Sequence, residues 1–420
     1  MAYMNSDRGN TTRRKFLATS GLVTAGTIAG CVSDEPDDTD DAAPGDPAND
    51  NDDVATHDTS DDSPIDWNVE TVVEGLNHPW GMSFVPDSSI LLVTERAGQL
   101  LRIDLETSAS ESVEGVPSVH ASGQGGLLDL CVWDDGSEMW IYLTYAVTED
   151  EGATTAIGRG ILAEGADRIE SFDEFFQAEP VVDSTQHFGS RVVMAPDSSV
   201  FMTVGDRGSK NFGDDHTSQR LDTDLGAVLR FEPDGSIPSD NPFVDDPDAN
   251  DAIYSFGHRN PQGLTIHPET EELWISDHGE QDGDSIAIIE EGGNHGWPIA
   301  HYGCTYDDES PIGDAPDERD DVVDPVYYWE CNSGGFPPAG MTFYTGDAFP
   351  DWTGDLFVGN LAGEYLGRFN VTDESVAEES PLLADDGWRI RDVIVGPGGD
   401  DLYVAVDAAS APIVRITPDD

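Results

Sequence analysis

A turn followed by a short strand recurs six times along this chain, and this repeat constrains the fold more than any other feature. Each copy has a turn rich in Pro, Asp or Gly and then a run of β-forming residues with alternating polarity. The copies are spaced by roughly 45–85 residues, as expected for repeats that carry insertions of different length. No long stretch has a convincing helical period. The six predicted strands cover residues 91–95, 140–145, 200–204, 273–276, 356–359 and 402–406.

Six such units predict an all-β fold, a six-bladed β-propeller with loop insertions over residues 66–420. An array of β-sandwiches is the competing architecture, but it explains the repeated turn and strand less well. A chain of 420 residues could hold about two or three ordinary domains, yet a closed all-β unit of this size can also form one domain. In a propeller the loops that join blades gather around the central axis, so residues far apart in sequence can form one site.

The N-terminus has the features of an export signal. Residues 12–17 (TRRKFL) form a twin-arginine pattern, and residues 17–28 are a short apolar stretch that is too rich in Gly, Ala and Thr for a membrane span. Residues 28–31 (IAGC) resemble a lipoprotein cleavage box. We therefore predict that residues 1–30 are a twin-arginine lipoprotein signal peptide and that lipidated Cys31 anchors the protein to the outer face of the cell membrane. A plain signal peptide with an incidental cysteine is the alternative.

Residues 31–65 predict a disordered acidic linker. This stretch consists mainly of Asp, Pro, Ala, Asn, Thr and Ser and contains no Lys or Arg. Such a composition cannot bury enough apolar surface to fold, so we expect an extended, charged tether between the anchor and the propeller.

Acidic residues dominate the whole chain, with 85 Asp+Glu against 19 Lys+Arg and a formal net charge of −66. This charge argues against nucleic acid or an anionic membrane surface as a partner, because phosphates would be repelled. A solvated acidic shell adapted to high salt is the simplest interpretation and favours a halophilic source. Because basic side chains are scarce, each arginine in a Gly-rich, uncharged context is a candidate functional residue.

A histidine and a carboxylate lie where they could form a catalytic pair. His187 precedes a predicted strand, and Asp206 ends the next strand, just before Arg207 and Gly208. If these strands are neighbours, Asp206 can accept a hydrogen bond from one ring nitrogen and leave the other free to act as a base. The alternative is a structural or surface histidine, which is the more common role of a lone imidazole.

Three arginines and one acidic loop are further candidates for ligand binding. Arg259 lies in a tight turn that could direct its planar guanidinium onto a carboxylate or quinone oxygen. Arg389 and Arg391 are two residues apart on a predicted strand, so they are expected to share one face that would suit a multiply charged anion. Residues 277–284 combine carboxylates and glycines that could bind calcium, although the calcium-loop signature is missing. Ion pairs with the many acids, or a surface acidic turn, are the alternatives.

The remaining cysteines have different surroundings. Cys131 lies in an apolar strand-like run and is predicted to be buried and inert. Cys304 and Cys331 flank one loop-rich insertion, and in an exported protein they could form a disulfide, although spacing alone does not establish the pairing.

Taken together and in this order, these motifs resemble the soluble quinoprotein glucose/sorbosone dehydrogenase family, closest to its aldose sugar dehydrogenase branch. The similarity runs from about Asn77 to the C-terminus, and the ordered set is far more specific than any single segment. The matching segments are residues 76–81, 124–129, 186–191, 204–208, 257–263, 293–298, 340–346 and 389–392.

The resemblance implies a six-bladed propeller that binds pyrroloquinoline quinone and calcium near its axis. His187 would be the general base that takes the anomeric hydroxyl proton of an aldose sugar, with hydride passing to the quinone and a lactone as product. Asp206 would orient His187, and Arg259 would lie near the reacting carbonyl. The implied cofactor contacts are Gln124, Arg259, Asn260, Arg389 and Arg391, and the implied calcium ligands are the carbonyl oxygens of Gly279 and Glu280.

The chain departs from the family pattern at several places. Some relatives place a lysine against the cofactor where Leu361 and its neighbours stand here. Ser285 and His295 replace residues that are frequent in the family, and both changes bear on a second, structural calcium. Residues 331–336 replace a segment that normally shapes the substrate pocket.

The sequence thus predicts a lipid-anchored, quinone-dependent sugar dehydrogenase whose partners are a sugar and an electron acceptor of unidentified nature. Two other functions would use the same fold. One is a cell-surface propeller that binds glycans or proteins without catalysis, and the other is a calcium-dependent lactone hydrolase.

Overall fold

Six antiparallel sheets of four strands each surround a central axis, so the structure, a computed structural model, is a six-bladed β-propeller. It describes residues 67–149, 152–372 and 375–419. The predicted signal peptide, Cys31 and the linker 31–65 lie outside the described residues. No helix in the described ranges has the length and apolar character that a membrane crossing requires.

The chain enters the propeller through β1 (Trp67–Leu76) and then builds the first three blades in order. Blade 1 contains β2 (Pro79–Phe84), β3 (Ile90–Glu95), β4 (Gln99–Asp104) and β5 (Ala109–Ser112). Blade 2 contains β6 (Leu127–Asp134), β7 (Met139–Glu149), β8 (Gly152–Leu162) and β9 (Ile169–Gln177). Blade 3 contains β10 (Val192–Met194), β11 (Val200–Val204), β12 (Ala227–Phe231) and β13 (Ile253–Phe256).

The last three blades follow, with one extra hairpin inserted into blade 4. Blade 4 contains β14 (Pro261–Ile266), β15 (Leu273–Asp277), β16 (Ser285–Ile288) and β19 (Tyr327–Tyr328), and the inserted hairpin is β17 (Ala300–Cys304) and β18 (Pro311–Gly313). Blade 5 contains β20 (Pro338–Phe343), β21 (Leu356–Asn360), β22 (Tyr365–Val371) and β23 (Val376–Glu378). Blade 6 contains β24 (Ile390–Val395), β25 (Leu402–Val406) and β26 (Ala411–Pro418), and β1 is its outermost strand. Short 3₁₀ turns occur at Thr217–Gln219, Pro316–Glu318 and Pro350–Trp352.

The ring is closed by hydrogen bonds between the two ends of the described chain. β1 pairs antiparallel with β26, from Trp67 opposite Pro418 to Leu76 opposite Ala411. The N-terminal strand therefore completes a blade whose other three strands come from the C-terminus.

The six repeats recognised in the sequence are the second strands of the six blades, which confirms the predicted fold. These second strands are buried almost throughout, because each is paired on both sides within its sheet and packs against neighbouring blades, so they form short apolar runs. The apolar core is accordingly divided into clusters between adjacent blades. In one of them, Trp274 and Ile286 of blade 4 pack with Met341 and Phe369 of blade 5.

Buried hydroxyl groups join successive blades. In four blades a Thr or Ser of the second strand donates a hydrogen bond to a backbone carbonyl in, or just before, the innermost strand of the next blade. These hydroxyl clasps are Thr94 to Leu128, Thr144 to Ser190, Thr203 to Pro261 and Ser276 to Ala339. In blade 5 the equivalent residue is Gly359, where an added Cβ would lie 2.6 Å from the carbonyl oxygen of Ile390. The backbones approach so closely there that only glycine fits.

Replacing Thr144 with valine is expected to lower the free energy of unfolding by about 1–3 kcal/mol, since it leaves buried polar groups without a partner. The Thr144 hydroxyl accepts a hydrogen bond from the Asp129 N–H at 3.1 Å and donates to the Ser190 carbonyl. Denaturant titration measures the change. Thr148→Val, at an exposed position of the same strand, is the control and should change stability by less than about 0.5 kcal/mol. Equal stability of the two variants would contradict a stabilising role for the clasp.

Candidate active site

The predicted site residues gather at one end of the propeller. Each innermost strand runs antiparallel to the second strand of its blade. The loop that precedes the innermost strand therefore lies beside the loop that follows the second strand. Gln124, His187 and Arg259 precede the innermost strands β6, β10 and β14, whereas Asp206 and Glu280 follow the second strands β11 and β15. The topology alone therefore brings these five residues to the same face.

His187 and Asp206 form a buried hydrogen-bonded pair. The distance from His187 Nδ1 to Asp206 Oδ1 is 2.6 Å. The Asp206 carboxylate also accepts hydrogen bonds from the Gly208 N–H at 2.8 Å and from the Trp297 indole Nε1 at 2.9 Å. A carboxylate held by several donors fixes the proton of the imidazole on Nδ1 and leaves Nε2 with a free lone pair.

The electrostatics of the pair suit a base. Burial lowers the pKa of His187, and Arg259 lowers it further, while Asp206 acts in the opposite direction; the net pKa lies below the ordinary value of 6.5. Burial alone would raise the pKa of Asp206, but His187 and Arg259 bring it below its usual value. At neutral pH the imidazole is thus neutral and the carboxylate is charged.

Arg259 lies next to this pair and is firmly held. Its Nη2 donates to Glu280 Oε2 at 2.6 Å, and its guanidinium lies 5.3 Å from the ring centroid of Trp297. The backbone N–H groups of Arg259 and Asn260 donate to the Asp277 carboxylate at 3.0 and 2.7 Å. Within the described residues Arg259 Nε is buried without a hydrogen-bond partner, so a ligand oxygen could satisfy it.

Gln124 and Asn260, both predicted to contact a cofactor, also hold the loop that carries His187. Gln124 Oε1 accepts the His187 backbone N–H at 2.7 Å, and Asn260 Oδ1 accepts the Gly189 N–H at 3.2 Å.

The regular strand face predicted for Arg389 and Arg391 is wrong. Strand β24 begins only at Ile390, and a bulge between Ile390 and Asp392 interrupts the alternation of side chains. Arg391 is buried; it donates to Asp407 Oδ2 at 2.6 Å and to Gln262 Oε1 at 3.2 Å. Arg389 is half-buried and lies just outside the strand.

A cavity on the propeller axis joins several of these residues. Residues from all six blades line it. Cationic, amide and aromatic side chains line it, a combination that suits a flat anionic cofactor. Arg391 Nε is another buried atom without a partner in the described part of the chain. The lining residues are Trp80, Arg96, Gln124, Leu128, Phe188, Gly189, Asn260, Gln262, His278, Leu361 and Arg391.

In the loop predicted to bind calcium, the carboxylates of Glu280 and Asp284 bind other protein groups. Asp284 accepts the N–H groups of Gly279 and Phe336 at 3.0 and 2.8 Å, and burial raises its pKa to about 6. The Glu280 carboxylate is bound by Arg259 and Lys210. Among the residues that the structure describes, no group of three or more His, Cys, Asp or Glu side chains could hold a metal ion. A calcium ion at this loop would therefore depend on backbone carbonyl oxygens, those of Gly279 and Glu280.

The sequence did not predict the buried arginine at the centre of the axial network. Arg191 lies between Asp129 and Asp392, at 3.3 and 3.0 Å, and its guanidinium is 4.2 Å from the Trp80 ring centroid. Its Nη2 donates to the Arg391 carbonyl at 2.9 Å. The scarcity of arginine and the position of Arg191 in the segment 186–191 were the available signals, but its partners come from four other blades.

The cysteines behave largely as expected. Cys304 and Cys331 form a disulfide, and Cys304 exchanges backbone hydrogen bonds with Gln281 at 2.9 and 3.0 Å. The disulfide thus joins the inserted hairpin to the segment that follows β19, and the two backbone hydrogen bonds join the hairpin to the loop of Gly279 and Glu280. Cys131 is half-buried rather than fully buried, and burial raises the pKa of its thiol to about 12, so it stays protonated.

Comparison with known proteins agrees with this architecture. The family model described as Glucose / Sorbosone dehydrogenase matches residues 76–415. Aldose sugar dehydrogenase YliI of Escherichia coli is 35% identical over 362 residues, which is 85% of this chain and 94% of that protein. A crystal structure of the soluble E. coli aldose sugar dehydrogenase in the apo-form superposes with a TM-score of 0.79, covering 84% of this chain and all of the other. The PQQ-bound aldose sugar dehydrogenase from Streptomyces coelicolor is 26% identical, with a TM-score of 0.67 and coverage of 85% and 99%.

Proposed function

The chain belongs to the glucose/sorbosone dehydrogenase family, and we propose that it oxidises aldose sugars to lactones with pyrroloquinoline quinone as its cofactor. The observation that carries the proposal is the buried His187–Asp206 pair, with its 2.6 Å hydrogen bond, beside Arg259 at the end of the axis that holds the cationic cavity. A base, an adjacent cation and an anion-binding cavity are what oxidation of a sugar hydroxyl by a carboxylated quinone requires.

His187 would take the proton of the anomeric hydroxyl on Nε2. Asp206, bonded to Nδ1, keeps that lone pair directed outward and stabilises the imidazolium once the proton has moved. Arg259 adds positive charge where negative charge develops on an oxygen, and Glu280 fixes its direction through the 2.6 Å contact. The quinone, when bound, supplies the two-electron oxidising capacity that turns the C1 alcohol into a lactone carbonyl.

The axial cavity offers the residues that would hold the cofactor. Arg391, which lines the cavity, would pair with cofactor carboxylates, and we propose the same for the neighbouring Arg389. Gln124 and Asn260 would contact the rings, and Arg259 a quinone oxygen. The buried Nε atoms of Arg259 and Arg391 that lack a partner among the described residues support this assignment. The carbonyl oxygens of Gly279 and Glu280 would hold calcium, which as a hard cation prefers oxygen ligands.

The direct test is reconstitution. Purified protein is titrated with the quinone and calcium while its absorbance is followed, and dye reduction is then measured with a panel of aldoses. We expect saturable cofactor binding and sugar-dependent dye reduction. A binding protein would show neither, and a lactone hydrolase would turn over lactones without any electron acceptor.

The pH dependence of kcat/KM should follow the protonation of His187. Its pKa lies below 6.5, so the imidazole remains an unprotonated base until the pH falls below that value. Activity is therefore expected to be retained down to pH 6.5 and to decline only in more acidic solution. Steady-state assays with a dye whose reduction is independent of pH measure this. An acidic limb centred at or above 6.5 would contradict the assignment.

We also propose that the protein acts on the outer face of the cell membrane, held there by lipidated Cys31. A Cys31→Ser variant should be exported but released into the medium, whereas the unchanged protein should remain with the membrane fraction. Equal fractionation of the two would rule out the anchor.

A further inference from the structure

The side chain of Arg207 contacts the segment that carries His187 both before and after that residue. Arg207 is 4% exposed. Its Nη1 donates to the carbonyl of Gln186 and its Nη2 to the carbonyl of Ser184, both at 2.6 Å. Its guanidinium carbon lies 3.4 Å from the ring centroid of Phe188. One side chain therefore contacts the main chain before His187 and the side chain after it.

The segment needs such a restraint because its backbone is strained. His187 has a φ of +49° and Ser190 a φ of +85°, in the left-handed region that residues with a side chain rarely occupy. Gln124 and Asn260 hold the N–H groups of His187 and Gly189. Arg207 holds the carbonyls of Ser184 and Gln186, on the N-terminal side of His187.

Burial of a guanidinium group at this position is energetically unfavourable, so we expect its geometry to have a specific use. The chain has 85 acidic residues, yet the two hydrogen bonds of this buried guanidinium go to neutral carbonyls. Desolvation is not offset here by a hydrogen-bonded carboxylate, and it lowers the pKa of Arg207 to about 9. The rigid fork can hold two carbonyls at once, whereas a lysine ammonium at the end of a flexible chain cannot reproduce that geometry.

We propose that Arg207 is a positioning residue that fixes the His187 loop, so that Asp206 and Arg207, adjacent in sequence, hold the imidazole and its main chain respectively. This inference rests on the proposed function of His187 as the base. A small displacement of the base lowers the reaction rate strongly, because proton transfer depends on a hydrogen-bonded geometry with the substrate.

The test is Arg207→Lys, with Arg159→Lys as the matched control. Arg159 also stacks on an aromatic ring, 4.3 Å from the Trp140 centroid, and donates to a carbonyl, that of Pro233, but it lies in β8 of blade 2. We expect Arg207→Lys to lower kcat by about 10–100-fold while KM changes by less than about threefold. The control should keep the kcat of the unchanged protein.

A second readout does not depend on turnover. The His187 imidazole is titrated by NMR in the protein without cofactor, where it faces Asp206, Arg259 and Lys210. Because burial is the main cause of its low pKa, a loosened loop should move the pKa of His187 up towards 6.5 in Arg207→Lys and not in Arg159→Lys. This readout still decides the inference if the unchanged protein oxidises no sugar, in which case only the proposed function fails.

Retention of both kcat and the His187 titration in Arg207→Lys would overturn the proposal, even if the variant were less stable. Should that variant not fold, Arg207→Gln replaces it in both measurements, and unchanged kcat together with an unchanged His187 titration would equally overturn the proposal.

Discussion

Replacing His187 with alanine is expected to lower kcat by about 10²–10⁴-fold, the usual contribution of a positioned general base. The substitution removes Nε2, the ring nitrogen that would accept the substrate proton, and leaves Asp206 bonded to Gly208 and Trp297. Added imidazole should restore part of the rate, because it can occupy the space of the missing ring. Dye-linked assays with a saturating sugar measure both effects.

His267→Ala is the control for this variant. His267 packs against Phe343, with ring centroids 4.6 Å apart, in the turn between β14 and β15 at the opposite end of the propeller. We expect this variant to keep the kcat of the unchanged protein. A His187→Ala enzyme with a kcat within about threefold of the unchanged protein would exclude His187 as the base.

Asp206→Asn is expected to lower kcat by about 10²–10⁴-fold, nearly as much as His187→Ala. This loss is expected although the side-chain volume hardly changes. The amide nitrogen can face His187 Nδ1 as a donor, which places the ring proton on Nε2 and removes the lone pair that accepts the substrate proton. The neutral amide also fails to stabilise the imidazolium. Cofactor affinity, measured by absorbance titration, should change little.

The matched variant is Asp197→Asn, an exposed acid in the turn before the same strand, β11. It should be indistinguishable from the unchanged protein. In the double variant His187→Ala/Asp206→Asn the loss should not exceed that of His187→Ala alone, because Asp206 acts through the imidazole. Additive losses would show that Asp206 has a separate role.

The fold and the contact between His187 and Asp206 could be predicted because their signals are local in sequence. Each second strand carries its own alternation and its own turn, so six copies of the pattern indicate six blades. His187 and Asp206 come from neighbouring strands of one blade, and their separation along the chain already indicates that they meet.

The irregular backbone at Arg389 and Arg391 has a physical cause that lies in two other blades. The Asp392 carboxylate accepts the N–H of Met82 in blade 1 at 2.9 Å and binds Arg191 of blade 3. The bulge that directs Asp392 towards these partners breaks the regular alternation on which the prediction depended. The carboxylate of Glu280 was considered only as part of a possible calcium loop, and its ion pairs with Arg259 and Lys210 were not predicted.

The pairing of β1 with β26 also sets an order of events during synthesis. The first strand of the propeller leaves the ribosome long before the strand that will hold it, and it has no permanent partner while the five intervening blades are made. The ring can therefore close only after β26 has been made, and loss of β26 would leave an open seam in an otherwise finished molecule.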